Sequence, residues 1–190
     1  NVLLGNSLTL TGTAGADQLL GANRNDIFRL EQGGVDSAFG GAGEDLFYYG
    51  AAFTSADSNN GGAGTQDVVV LQGDYVLTTG ATSFVDVEYL VLYSGTTTRF
   101  GDVAGNRYDY DITTVDANVA AGREFRVNGL LLTADESFTF DGSAETNGYF
   151  LVYGGSGADD LTGGAGGDGF FFEGPKFGGG GEVGVGAWRG

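Results

Sequence analysis

The chain has 190 residues, 38 of them Gly and only one Pro, and 25 acids against 8 bases leave a formal charge of −17. It contains neither His nor Cys, which excludes a Ser-His-Asp triad, thiol catalysis, disulfides, zinc clusters and iron–sulfur centres. The charge weighs against nucleic acid and anionic membranes as partners, and no apolar run is long enough to span a membrane.

The acids are 17 Asp and 8 Glu. Asp is a short oxygen ligand that suits turns, so the excess points to turns that hold cations. The 14 Phe and 9 Tyr exceed what a disordered chain carries and predict a packed structure. Asn1 takes the place of a Met, with no basic-then-apolar leader behind it, so the sequence reads as a fragment or a processed chain. No Gly-rich segment leads into Lys-Ser/Thr, which excludes a P-loop.

An apolar stretch, Val2-Leu3-Leu4 with Leu8 and Leu10, opens the chain. Nonapeptide repeats follow: G-T-A-G-A-D-Q-L-L at 12–20, G-A-N-R-N-D-I-F-R at 21–29, E-Q-G-G-V-D-S-A-F at 31–39 and G-G-A-G-E-D-L-F-Y at 40–48. Asp17, Asp26, Asp36 and Asp45 hold the sixth position, and Leu19, Phe28, Ala38 and Phe47 the eighth. A looser copy at 61–70 carries one insertion before Asp67. The pattern then stops and returns at 154–162 and 163–171, with Asp159 and Asp168 in phase. Between the blocks, residues 72–153 predict short strands at Tyr75–Thr78, Val85–Tyr93, Tyr108–Val115, Glu124–Val127, Ser137–Asp141 and Tyr149–Tyr153, with one helical turn within Val115–Arg123. The stretch Gly174–Gly190 starts like another repeat, but Val183 stands where Asp is due. The boundaries are 1–71 for the first repeat block, 72–153 for the irregular middle and 154–190 for the second block. No polar linker separates them, so they read as one continuous body.

Each repeat has a mechanical reading. Its glycines allow a tight six-residue turn, and the remaining three residues form a short strand whose eighth-position side chain faces a core. The repeats G-G-x-G-x-D-x-apolar-x resemble the RTX family of secreted bacterial calcium-binding proteins. That resemblance implies an all-β fold, a right-handed parallel β-roll or β-helix solenoid with calcium-binding turns. It implies calcium ions between turns stacked on one edge, Asp17 with Asp36 and Asp26 with Asp45, and further edges starting at Asp159 and Asp168. Carbonyl oxygens of Gly12, Gly21, Gly40, Gly154 and Gly163 would complete the shells. Asp67 belongs to the same set, although its insertion is expected to turn the carboxylate away. Arg24, Glu31 and Gln32 stand where the repeat has Gly, and Asp57 is placed beside the fourth repeat. Stacked carboxylates repel unless an ion neutralises them, so the repeat blocks are expected to be loose without calcium and to fold with it. A Gly-rich solenoid held by Asx turns without metal is the plainer alternative.

Other features carry weaker signals. Arg107-Tyr-Asp-Tyr-Asp111 alternates, which puts Asp109 and Asp111 on one strand face as either an acid pair for sugar chemistry or a solvated face with Arg107 as counterion. The aromatic runs at 47–49 and 170–172 read as core filling or sugar platforms, and Trp188 as a surface residue or an anchor into a neighbour. Neither terminus shows a solenoid cap, so copies are expected to associate end to end. The resulting expectation is a non-enzymatic, secreted structural protein at the bacterial cell surface, exported by type I secretion and building a filament or surface layer. A calcium-binding module of a larger secreted enzyme and a glycan-binding adhesin are the alternatives.

Overall fold

A computed structural model describes residues 7–173 and 183–185. The readings of residues 2–4, of residues 174–182 and of Trp188 lie outside the described residues. The strands are short because the sequence punctuates them with Gly and Asp every few residues. In the first block they are β1 (Thr9–Thr11), β2 (Gln18–Leu20), β3 (Ile27–Arg29), β4 (Ser37–Ala42), β5 (Leu46–Gly50), β6 (Ser58–Ala63) and β7 (Val68–Leu71). The middle adds β8 (Tyr75–Thr78), β9 (Tyr89–Leu92), β10 (Tyr110–Thr113), β11 (Glu124–Asn128), β12 (Phe138–Asp141) and β13 (Tyr149–Tyr153). The last are β14 (Asp159–Thr162), β15 (Gly169–Glu173) and β16 (Val183–Val185), and the only helix among the described residues is a 3-10 turn at Asp116–Asn118.

The strands stack as a parallel β-solenoid. The long sheet runs β1-β3-β5-β7-β9-β11-β13-β15, all parallel, with β16 added antiparallel at its end. Two shorter parallel sheets close the coils, β2-β4-β6, extended by the bridge Asn60–Val85, and β14-β12-β10-β8. Contacts between successive coils span 18 and 19 residues in the first repeats and 22 at Asp45–Asp67. The step widens to 37 residues between the neighbours Tyr89 and Arg126, and returns to 18 between Phe150 and Asp168. The middle is thus the same solenoid with longer coils.

Parallel register places the inward side chains of the long sheet, the eighth-position residues of alternate repeats among them, in one interior column. Leu10, Phe28, Phe47, Val69, Leu90, Val127, Val152 and Phe170 lie side by side across the long sheet. All but the two end members are 0% exposed. Each buried side chain of this size contributes roughly 1.5–3 kcal/mol. Asn59 continues the inner column of Leu19 and Ala38. Its polarity is satisfied there, because it accepts from Tyr49 Oη at 2.9 Å and donates to the Ser83 carbonyl at 3.0 Å.

Most expected strands are present, and Tyr75–Thr78 and Tyr149–Tyr153 have the expected bounds. Val85–Tyr93 is divided, because Asp86 adopts φ +48° and turns the chain before β9 begins. Tyr110 and Ile112 point inward and Asp109 and Asp111 outward. Arg107 is not their counterion, however. It pairs with Asp135 at 2.8 Å, while Asp109 accepts from the Ser137 N–H and hydroxyl. The 47–49 run is wholly buried.

The segment between β9 and β10 folds back over the outside of the long sheet. Phe100 stacks on Tyr48 at 4.1 Å, and Arg29 donates to the Phe100 carbonyl at 3.0 Å. This covers the apolar outer residues Tyr48, Val70 and Tyr93. Glu136 holds both ends of the segment, accepting from Gly95 N–H at 2.8 Å and Tyr108 N–H at 3.1 Å. Burial alone would raise its carboxyl, but the N–H donors of Thr133, Gly95 and Tyr108 outweigh it and hold the group below its ordinary value. Replacing it, Glu136→Ala, leaves these donors unpaired at a cost of about 1.5–3 kcal/mol. Limited proteolysis is expected to cut between 95 and 108 in the variant and to spare the wild type.

Candidate metal-binding turn edges

The repeat aspartates form two columns, one on each edge of the solenoid. On one edge, Asp26 Oδ1 accepts from Leu8 N–H at 2.6 Å, Asp45 Oδ1 from Asp26 N–H at 2.7 Å and Asp67 Oδ1 from Asp45 N–H at 2.7 Å. Glu88 ends this column, accepting from Asp67 N–H at 3.0 Å. On the other edge, Asp36 accepts from Asp17 N–H at 3.0 Å and Asp57 from Asp36 N–H at 2.7 Å. In the second block, Asp168 accepts from Phe150 N–H at 2.7 Å. Each carboxylate therefore caps a backbone donor one coil back, where no strand partner reaches it.

The second oxygen separates the sites. Asp26 Oδ2 accepts from Ala22 N–H at 2.7 Å, Asp17 Oδ2 from Thr13 N–H at 2.6 Å and Asp57 Oδ2 from Thr54 N–H at 2.7 Å. Asp45 Oδ2 and Asp67 Oδ2 are buried and receive no hydrogen bond from the protein, and the same holds for Glu44 Oε2 and Asp159 Oδ1. Asp45 and Asp67 are 1% and 0% exposed. Burial pushes Asp67 up to about 7, helped by the carboxylates of Glu88, Asp45 and Glu44 and opposed by the Asp45 N–H. Burial likewise pushes Asp45 and Asp159 up to about 6 and raises Asp36. The described residues form three ion pairs, Arg29–Glu31, Arg107–Asp135 and Arg126–Glu124, and none includes a repeat aspartate. Arg24 is exposed and takes part in none of them.

Where a repeat opens with Gly, that Gly has a steric reason. A Cβ on Gly40 would overlap Asp45 Oδ2 and lie 2.6 Å from the Gly61 carbonyl oxygen. Gly21, Gly154 and Gly163 face Asp26, Asp159 and Asp168 in the same way, and Gly12 faces Asp17 less tightly, at 3.2 Å. Gly43 adds a backbone requirement, with φ +124° against the Arg24 peptide. A Gly40→Ala substitution must displace the carboxylate or the next turn. It is expected to cost about 1–3 kcal/mol in denaturant unfolding, whereas Gly15→Ala, whose added Cβ would meet only Thr13 Oγ1 at 3.6 Å, moves no neighbour.

The structure stacks Asp17 with Asp36 and Asp26 with Asp45, the pairs that the resemblance implies. Asp67 differs from expectation, since its carboxylate stays in the column despite the insertion. The coil absorbs the extra residue in the turn, because register in the flanking strands is set by burial. Sequence reasoning missed Glu88, which ends a connection of only three residues between Val85 and β9, and left Asp57 as a bare placement. Its signal was Thr54 three residues earlier, whose N–H and hydroxyl bond Asp57, and Thr133 repeats the arrangement at Glu136. The Glu145 side chain, 0% exposed, accepts from Asn147 and Gly148 N–H and was also missed.

The columns present hard carboxylate oxygens with no basic side chain beside them, which suits a hard divalent cation. Among the described residues no three acids converge to enclose a metal ion by themselves, so any ion would need backbone oxygens as well. No described helix is long and apolar enough to cross a membrane. The chain matches no protein-family model, and no curated protein or solved structure proves similar to it.

Proposed function

We propose that this chain is a secreted, calcium-stabilised structural solenoid. One observation carries the reading. Asp45 Oδ2 and Asp67 Oδ2 are buried on one edge, lack a hydrogen-bond donor and have no cationic side chain beside them. An arrangement of that kind is costly unless a proton or a cation joins it. The donor set fits calcium, which takes six to eight oxygens from carboxylates and carbonyls. Asp26, Asp45 and Asp67 would hold ions on one edge, Asp17 and Asp36 on the other, and Asp159 and Asp168 in the second block. Bound calcium would neutralise the columns and lock successive coils together, so that a chain of charge −17 orders where calcium is plentiful. The nonapeptide resemblance to RTX proteins supports the same reading and, with it, export before folding.

Calorimetric titration with CaCl2, and with MgCl2 in parallel, tests it. Saturable calcium binding with a gain of β-structure over the chelated protein is the expected result. Absence of binding at millimolar calcium would overturn it. End-to-end assembly completes the proposal. Among the described residues β1 and β2 pair on one side only, and open strand edges recruit further strands. Electron microscopy with calcium and with chelator is expected to show filaments or sheets in calcium alone.

A further inference from the structure

One column of Gly positions on the turn edges is interrupted at a single place. The residues that follow the register Leu20–Phe39–Asn60–Val85 are Gly21, Gly40, Gly61 and Asp86. The first three are the Gly positions packed against the neighbouring coil, and Gly61 lies against the Asp86 carbonyl. Asp86 therefore occupies a Gly position of the column. It is also the only described non-Gly residue with positive φ, at +48°. An L-residue with a bulky carboxylate is held in a conformation that Gly would adopt without strain, and such outliers concentrate where a side chain has a task.

The same coil has lost most of its turn. Only Asp86, Val87 and Glu88 separate Val85 from β9, whereas the neighbouring turns are longer. The solenoid edge is recessed there, and a cleft of about 480 Å³ opens between Asp86–Glu88 and the segment that enters β11. Its volume lies within the range of small-ligand sites. Buried Phe84 and Phe125 contribute its apolar base, and Tyr89 and Tyr149 line it further. Asp86, Glu88 and Arg123 supply polar groups, together with the Glu124–Arg126 ion pair, whose guanidinium lies over the Tyr89 ring. Asp86 and Arg123 are exposed and take part in no ion pair among the described residues.

We propose that this cleft binds a neutral glycan segment. Rings beside acids and two arginines match a sugar, whose apolar faces pack on rings, Tyr149 foremost, while its vicinal hydroxyls bond bidentate groups. The net charge of −17 and the three acids at the cleft, Asp86, Glu88 and Glu124 against Arg123 and Arg126, disfavour a polyanionic sugar. The site lies outside the aspartate columns except at Glu88, whose carboxylate is already engaged by the Asp67 N–H. It does not depend on the calcium reading.

The test is saturation-transfer NMR and calorimetry on the full chain in millimolar calcium. The probes are neutral tetrasaccharides built from glucose, galactose, mannose and N-acetylglucosamine, with a galacturonic acid tetrasaccharide as the acidic control. At least one neutral probe is expected to bind, and Asp86→Gly and Arg123→Ala are each expected to weaken it about tenfold or more. Asp86→Gly keeps the backbone of the turn and relieves its strain, so a folded variant is available whatever happens at Arg123. Failure of every neutral probe, preference for the acidic probe, or affinity unchanged in both variants would overturn the proposal. Calcium titration of the same variants is expected to match wild type, so failure of the calcium reading registers separately.

Discussion

Replacing Asp45 by Asn is expected to abolish its share of calcium binding while leaving the metal-free fold intact or firmer. The Asn side chain keeps an oxygen that can accept the Asp26 N–H, now at 2.7 Å from Asp45 Oδ1, and it removes the charge. If the column is a ligand ladder, calcium affinity at that edge falls about tenfold or more, because affinity follows ligand charge. If the column is only a hydrogen-bonded ladder, Asn behaves as wild type in calcium. Asp45→Ala separates the two roles further. It leaves the buried Asp26 N–H unpaired at about 1–3 kcal/mol, with calcium or without.

The same groups set the pH dependence of the metal-free protein. Burial raises Asp45 to about 6 and Asp67 to about 7, from an ordinary 3.8. The folded state then binds more protons than the unfolded state between about pH 4 and 7, so stability falls as pH rises through that window. Glu136, Asp109 and Asp141 are shifted down by hydrogen bonding, and their contribution is lost only as pH falls below the ordinary carboxylate range. In chelator the melting temperature should therefore be higher near pH 5 than at pH 8. Calcium competes with protons for these oxygens, so its stabilising effect should grow over the same interval. A metal-free melting temperature that rises from pH 5 to pH 8 would contradict this account of the buried column.

Phe47→Ala is expected to be the most destabilising single change in the core, about 3–5 kcal/mol. Phe47 is 0% exposed and stacks on Phe28 with centroids 4.7 Å apart. It sits between Phe28 and Val69 in the interior column, and rigid coils on both sides cannot close the cavity. Equilibrium unfolding in calcium measures the loss. Val76→Ala is the control, since Val76 lies on an outer face at 91% exposure and should change stability by less than about 0.5 kcal/mol.

The nonapeptide period determined much of this protein unaided. A strict rhythm of Gly turn, Asp and inward apolar residue admits few structures other than stacked parallel coils. The interior positions Phe28 and Phe47 follow from it, because identical units stack in phase, and the resemblance that this period carries implied the pairing of Asp17 with Asp36 and Asp26 with Asp45. The tertiary structure decided what the period could not reach. Glu88 and Asp57 joined the aspartate columns through coils of other lengths, where register is fixed by burial across the sheet and not by spacing along the chain. Asp67 stayed in its column for the same reason. The fold of 94–109 over Tyr48, the hold of Glu136 on its ends and the cleft beside Asp86 arise from contacts between residues far apart in sequence. Local propensity carries no record of such contacts. They exist only once the coils are stacked and one is found to be longer, or its turn shorter, than its neighbours.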